Sequence, residues 1–513
     1  MESRQPEAEK NRSFCNSNTV PRVMHTMPRH SSPNPAPSGP YGLKALCLCI
    51  TLLPLTGCLS WRSSKPELPP ADANWQGNFS STGQESLPPA WWESFGDKEL
   101  SAHINHAWQH HSSISKAWVA LSLADSRLQQ SRSGQWPSLN LGANGKREWR
   151  EQTDASDSGS FSALAQYELD LWGKISSESA AAKMDRMASE RDLTTAATTL
   201  AAQVCQTWWL LLEKQEQVRL LSEQESNTAH TLRMMESRFE SGQIPLTDLL
   251  RQRQLFESRR SARIQAEAEF ALTRNALHAL RGESVLGQND FVLPHTLPDL
   301  PSFPHIDDVG TVINRRPDLQ AAWFAVRSAD HLVAASIANR LPRITLGGSI
   351  SSAFVDPLRL FDEWVKALTA SLNLPIIDGG NRRADTRQRE LRLEQALIHY
   401  HQIALDAIKE IEDAISQEQH LAKQLQSVDQ QIALADQVRT QQLQSYLSGS
   451  TNYLEVLSSQ DSWLSLQRNR IILRRSLLQQ RTTLYRALGG NASFDPESAT
   501  AATRNQRTPI RNP

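Results

Sequence analysis

From residue 97 to residue 490 the spacing of apolar positions changes several times, and it does so twice in the same order. Over Asp97–Ser133, a stretch of 37 residues without Gly or Pro, Leu100, Ile104, Ala107, Ile114, Leu121 and Leu128 recur at steps of three, four and seven. Asp97 stands where an N-cap belongs, so one helix is predicted. Pro137 stops it, and the period drops to two: Leu139, Leu141 and Ala143 alternate with Asn140, Gly142 and Asn144. After a Ser/Asp/Gly-rich stretch over Thr153–Gly159, read as a loop, a second alternation sets Phe161, Ala163, Ala165, Tyr167, Leu169 and Leu171 against a mostly polar face. Strands of about ten residues with one apolar and one polar face suit a bilayer-crossing barrel, with a soluble hairpin packed on one side as the alternative.

Trp172-Gly173 ends the second strand and opens the dominant feature. Lys174–Ser241 runs 68 residues with neither Gly nor Pro, and Asn381–Ser448 runs another 68. Helical throughout, each is a rod of roughly 100 Å. The apolar stripe of the first run (Ala197, Leu200, Ala201, Val204, Trp208, Leu211, Leu212) is wider than a two-position seam, which calls for neighbours on both sides. Gly242 ends it, and Pro245 opens a return helix of 36 residues, Leu246–Arg281. A return helix that short leaves half of the long stripe exposed unless the helix before the strands lines the other half. Each long helix is therefore expected to be flanked by a stacked pair.

Past a Pro- and Asp-rich linker the plan repeats. Pro342-Arg343-Ile344-Thr345-Leu346-Gly347 restates Pro137-Ser138-Leu139-Asn140-Leu141-Gly142, Ser448-Gly449 restates Ser241-Gly242, and Glu455 follows its glycine by six residues as Asp248 does. The expected divisions are 1–57 as an export signal, 58–90 as a tether, 91–282 and 316–490 as the two repeats, 283–315 as a linker and 491–513 as a disordered tail. Two repeats supply four membrane strands. Four cannot close a barrel, and an open edge is not tolerated in lipid, so copies must associate, to eight strands as a dimer or twelve as a trimer. Eight fill their interior with side chains and twelve leave room for water.

Composition adds little to this pattern and removes much. The formal net charge is −1 over 513 residues, which points to no nucleic-acid partner, and five cysteines are too few for a disulfide framework. The apolar segment Leu43–Leu55, with basic residues and no acidic ones upstream as far as Arg12, reads as an export signal. It runs into Leu55-Thr56-Gly57-Cys58, similar to a bacterial lipobox, which implies S-diacylglycerol and N-palmitoyl chains on Cys58. Leu59 rather than Asp at the next position resembles the sorting pattern of outer-membrane lipoproteins, which implies the outer membrane. The polar stretch before the signal is long, and a start at Met24 or Met27 gives a more usual signal length. No Walker loop, nucleophile elbow or zinc signature occurs, so no enzyme activity and no cofactor beyond that lipid are expected. His103, His106, His110 and His111 crowd one helix, but their setting reads as a polar face rather than a metal site. Trp208-Trp209 reads as interhelical packing.

The order helix, two strands, long helix, short helix, taken twice behind a lipobox, resembles the TolC-type outer-membrane efflux proteins, specifically their lipoprotein branch. The matching residues are Trp91-Trp92-Glu93-Ser94-Phe95-Gly96-Asp97, Tyr167-Glu168-Leu169-Asp170-Leu171-Trp172-Gly173-Lys174, Arg315-Arg316-Pro317-Asp318-Leu319 and Asn452-Tyr453-Leu454. The resemblance implies a mostly helical chain that completes, as a homotrimer, a 12-stranded barrel and a periplasmic helical barrel. Such a tube is the exit duct of a tripartite pump, served by an inner-membrane transporter and a periplasmic adaptor. The competing class is an adaptor or scaffolding lipoprotein that uses hairpins only to bind partners. The resemblance also implies that the tube closes at the hairpin tips, Glu240–Pro245 and Tyr446–Leu454, turned by Gly242 and Gly449. Leu454 matches a leucine of the apolar constriction, and Tyr446 and Glu240 match residues of the closing contacts. Ser458 and Ser445 replace an aspartate and an arginine of close relatives; Glu455 is the candidate substitute acid, or simply a residue favoured by the helix dipole.

Overall fold

The computed structural model describes residues 77–151, 153–286, 291–354, 363–489 and 494. The segment expected to be an export signal, Cys58, the first part of the expected tether and nearly all of the expected tail lie outside them. Among the described residues, a short 3-10 helix (Trp91–Phe95) is followed by eight α-helices and four strands in chain order: α1 (Lys98–His110), α2 (Ser112–Ser133), β1 (Ser138–Arg150), β2 (Thr153–Leu169), α3 (Lys174–Glu240), α4 (Leu246–Leu280), α5 (Val309–Arg315), α6 (Pro317–Ala338), β3 (Arg343–Phe354), β4 (Val365–Asn373), α7 (Asn381–Leu447) and α8 (Tyr453–Ala487). The two long runs are single helices of 67 residues each.

Three expectations are corrected. The helix expected over Asp97–Ser133 is two helices that break at His111, whose ring caps the second by accepting from the Ser113 amide. The loop expected over Thr153–Gly159 is the first part of β2, paired with the far end of β1, while Leu171 lies beyond the strand. The linker expected over 283–315 ends in the seven-residue helix α5, capped by Asp308. Phe494, the one described residue of the tail, packs edge-on against Trp108 at 5.3 Å.

These corrections strengthen the repeat. The break before α6 falls at Arg316, 205 residues after His111, and α2 and α6 are both 22 residues long. A like contact lies at both breaks, the second of which also has Pro317 as its first helical residue. Gly282 (φ +76°) ends α4 with its Cα packed on the His110 carbonyl, and Gly489 (φ +67°) ends α8 packed on Arg316. A Cβ at Gly282 would stand 2.5 Å from that carbonyl oxygen, so the return helix of each repeat docks where its first helix kinks.

The four strands form one antiparallel sheet in the order β1-β2-β3-β4. Register sets like against like over most of the sheet: Leu141 opposes Ala163, Ala163 opposes Ile350, Tyr167 opposes Leu346, and Leu346 opposes Ala370, with Leu164 on the polar face and Ser352 and Lys366 on the apolar face as exceptions. The other face carries Asn140, Ser162, Thr345, Ser349 and Ser371. Because the period is two, a one-residue slip would exchange the faces entirely. At the sheet's lower end Asp170 caps α3 through the amides of Ile175 and Ser176, and Asp378 does the same for α7 through Gly380 and Arg382.

Below the sheet the helices stand side by side. α2 and then α4 line one flank of α3, through Asp125–Arg186 in its first half and Glu225–Arg263 in its second. α6 and then α8 line the opposite flank, α8 through Trp209–Thr482 and Glu213–Arg475. α7 follows beyond that second pair, joined by Trp323–Tyr400 and Glu418–Arg481. The expected stacked pairs are thus present, end to end along α3. Midway down, two apolar cores sit where the short helices meet, one around Trp91, Trp92, Trp208, Trp209 and Tyr485, the other around Trp323, Tyr400, Ile411 and Leu484.

Candidate functional site at the hairpin tips

The ends of the long helices are built alike. α3 closes with Gly242 (φ +70°), whose amide bonds Phe239 O while Gln243 N reaches back to Arg238 O; α7 closes with Gly449 (φ +77°) and the corresponding bonds to Tyr446 O and Ser445 O. That pattern needs a left-handed residue, which glycine supplies without a Cβ clash, and both glycines face open space. α8 then begins at Asn452, whose side chain accepts from the Glu455 amide at 3.2 Å, while α4 begins at Pro245 with Asp248 in its first turn.

A small apolar core joins the two tips. Met235 of α3, Ile244 and Leu249 of the first hairpin and Tyr453 and Val456 of the second are buried together, with Tyr446 partly buried against them. The rings of Tyr446 and Tyr453 lie 5.0 Å apart. Burial, then the neighbouring Asp248 charge, pushes the Tyr446 phenol above its ordinary pKa, so it stays a neutral donor toward Asp248. Tyr453 gives its hydroxyl hydrogen to Gln252, and Gln252 donates in turn to the Thr228 carbonyl at 3.0 Å. Arg259 and Asp461 form an ion pair between α4 and α8.

The structure therefore divides the tip residues named from the sequence. Tyr446 joins the tip core and faces Asp248, whereas Glu240, the last residue of α3, is exposed. Tyr453 is 3% exposed and Leu454 beside it 50%, and Leu454, Glu455 and Ser458 share an outward face of α8. Ser445 is half-buried. Sequence reasoning passed over Gln252 and the Arg259–Asp461 pair, and took Asp248 only as the repeat counterpart of Glu455. The only mark Gln252 leaves is a polar residue on the stripe Leu249–Gln252–Phe256, at steps of three and four.

The four histidines expected to share a polar face do not: they take three settings near the middle of the helices, and only His110 is exposed. His103 is buried between Trp208 and Phe291. His106 stacks on His110 and meets Glu283 at 3.1 Å, but burial and Arg281 hold its pKa down, so this is a hydrogen bond from a neutral ring. His111 is the α2 cap. Among the described residues no group of three or more His, Cys, Asp or Glu is arranged to hold a metal. Burial, then Arg281, lowers the pKa of His103 to about 4, against the opposing pull of Asp97 and Glu283. Its unfolded value is near 6.5, so the unfolded chain binds the proton first as pH falls. His103 thus contributes full stability above pH 6.5 and loses it progressively down to about pH 4, in total about 3 kcal/mol. In His103→Leu the fall in unfolding free energy over that interval should shrink by this amount; an unchanged pH slope would remove His103 as its source. Trp208 and Trp209 are fully buried and donate to Asp97 and Thr482, which ties α3 to α1 and α8.

The family model described as "Outer membrane efflux protein" matches residues 103–283 and 309–490. The pyoverdine export outer membrane protein OpmQ of Pseudomonas putida is 28% identical over 469 residues, covering 88% of this chain and 98% of the relative. The probable outer membrane lipoprotein SilC of Salmonella typhimurium is 26% identical over 474 residues, covering 88% and 99%. Among solved structures, the outer-membrane channel OprN aligns with a TM-score of 0.74 at 21% identity, covering 80% of this chain and 94% of that one. The MtrE outer membrane channel of Neisseria gonorrhoeae aligns with a TM-score of 0.72 at 23% identity, covering 82% and 96%.

Proposed function

The chain belongs to the outer membrane efflux protein family and is an outer-membrane efflux channel with a periplasmic helical portion, and we propose that three copies close it into the exit duct of a tripartite pump. One observation carries this reading: a four-stranded sheet with one apolar face, one polar face and two open edges, standing on helices of which α3 has neighbours on both flanks and α7 on one. Three copies supply twelve strands, enough for a water-filled lumen, above twelve helical positions. Lipid takes the face of Leu141, Tyr167 and Leu368, and water takes the face of Asn140, Ser162 and Thr369.

Conduction needs no reacting group, only a path and a closure. The closure we assign is the hairpin tip, with Leu454 facing the axis, Ser458 one turn above it and Glu455 beside them. Tyr446, with Asp248, holds the two hairpins together from behind, and Glu240 stands at the rim. The tips are also where a periplasmic adaptor and an inner-membrane transporter would dock. The adaptor reading of this chain is disfavoured by the sheet, since a soluble adaptor has no use for an exposed apolar sheet face.

Cys58 is assigned the lipid anchor, with S-diacylglycerol and N-palmitoyl chains that add to the hold of the barrel. The lipobox supports it, as does the lipoprotein name of the Salmonella relative.

The test is reconstitution of the detergent-extracted full chain. A heat-sensitive trimer on gels that conducts in a planar bilayer is expected, and palmitate label that disappears in Cys58→Ser. A monomer without conductance would overturn the duct.

A further inference from the structure

Resting on the trimer reading above, we propose the residue register of the seam between copies: β4 of one copy pairs antiparallel with β1 of the next so that Leu372 faces Ala143, Leu374 faces Leu141 and Ile376 faces Leu139. The number of copies belongs to the previous reading. The pairing itself follows from the internal repeat, because the junction between the repeats within one chain is the template for the junction between chains.

The two hairpins superimpose residue by residue. Ser138 pairs with Gln166 in the first and Arg343 with Asn373 in the second, so β1 maps on β3 at an offset of 205 and β2 on β4 at 207. Within the chain, β2 meets β3 through Ala165–Gly348, Tyr167–Leu346 and Leu169–Ile344. Carrying β2 forward to β4 and β3 back to β1 turns these three pairs into Leu372–Ala143, Leu374–Leu141 and Ile376–Leu139.

Three features of the single chain agree with this transfer. It keeps the faces pure: each of the three pairs is apolar to apolar, and the intervening Asn373 falls opposite Gly142 on the polar side. A one-residue slip would set Leu372 against Asn144 or Gly142. It also sets the large apolar side chains of the two edges side by side on the lipid face, where Leu139, Leu141, Leu372 and Ile376 are 69%, 70%, 67% and 87% exposed in the single chain. Finally, it explains an asymmetry between the repeats. β2 continues as strand through Tyr167, Glu168 and Leu169, where β3 is its only partner past Gln166, but β4 stops at Asn373, the counterpart of Gln166. The counterparts of the missing residues are Leu374, Pro375 and Ile376, which lack a partner until β1 of the next copy arrives. Assembly extends β4 by these residues. Pro375 has no amide hydrogen to give, so the ladder thins there and the Ile376–Leu139 pair is held by side-chain contact.

Cysteine pairs in the otherwise intact chain test the register, the native Cys205 being fully buried with its thiol pKa pushed up by burial. Within one chain β1 and β4 are separated by two strands, about 14 Å, beyond the reach of a disulfide. Mild oxidation of Ala143→Cys/Leu372→Cys and of Leu141→Cys/Leu374→Cys is expected to replace the monomer band on denaturing gels with covalent dimer and trimer. Gly145→Cys/Leu374→Cys, four residues out of register, is expected to stay monomeric. Preferential crosslinking of Leu374→Cys with Leu139→Cys or Ala143→Cys would overturn the register and leave the trimer standing. The same holds if no pair crosslinks in protein that still runs as a trimer before heating. Failure of every pair in a protein that is monomeric in detergent would instead overturn the trimer.

Discussion

Replacing Arg481 with alanine is expected to cost about 3–5 kcal/mol of folding stability, the range for stranding one partner of a buried ion pair. Arg481 is 1% exposed and its partner Glu418 6%, joined by two hydrogen bonds of 2.9 and 2.6 Å. The guanidinium also donates to the carbonyls of Pro301 and Ser302 and lies over the rings of Phe303 and Tyr485. One side chain thus fastens α7, α8 and the segment between the repeats at the middle of the helices. Removing it leaves a carboxylate and two carbonyls without a donor. Arg481→Met with Glu418→Leu removes both charges and should recover most of the loss. Denaturant unfolding in detergent, followed by tryptophan fluorescence, reads the difference. A midpoint for Arg481→Ala within about 1 kcal/mol of the parent would mean that water replaces the arginine and that the pair is not load-carrying.

Near the same level, Arg316 chelates Asp318 and donates to Glu410 and the Ala487 carbonyl, and Arg315 donates to the Leu488 carbonyl. Two arginines thereby satisfy the bare C-terminal carbonyls of α8. The sequence shows Arg315-Arg316-Pro317-Asp318 as a conspicuous string, and Pro317 as a helix start is legible from it. That the string is a cap for a helix 170 residues away is not, because local pattern carries no distance information.

The same division holds along the chain. Long helices and face-pure strands were readable because each repeats one period over many residues. The break at His111 was not, since no Gly or Pro marks it; what stands against it is Gly282, from the end of α4 and distant in sequence. The strand over Thr153–Gly159 was hidden by a Ser/Asp/Gly composition without alternation, and it exists because the far end of β1 pairs with it. α5 was hidden in a Pro- and Asp-rich segment, where seven residues are too few to set a period. At the tips, Tyr453 and Leu454 are adjacent letters with similar apolarity. Only the packing of one hairpin on the other decides that Tyr453 turns into the tip core while Leu454 stays exposed.

That last distinction yields the prediction with the largest effect on conduction. If the three Leu454 side chains close on one another, each hides the half now exposed, worth about 1–1.5 kcal/mol per copy. Three copies then favour the closed state by about 3–4.5 kcal/mol, a factor of roughly 10²–10³ in the closed-to-open ratio. Leu454→Ala forfeits most of this, so the resting conductance in a planar bilayer should rise sharply, whereas Leu454→Ile should behave as the parent. Because Leu454 lies outside the tip core, its truncation should leave the unfolding midpoint unchanged, unlike Tyr453→Ala. Ser458→Asp, on the same face, should add a ring of three carboxylates and shift the open pore toward cations without changing the resting conductance as strongly. An unaltered resting conductance in Leu454→Ala would move the closure elsewhere on the tips, with Tyr446 and its contact to Asp248 as the next position to vary.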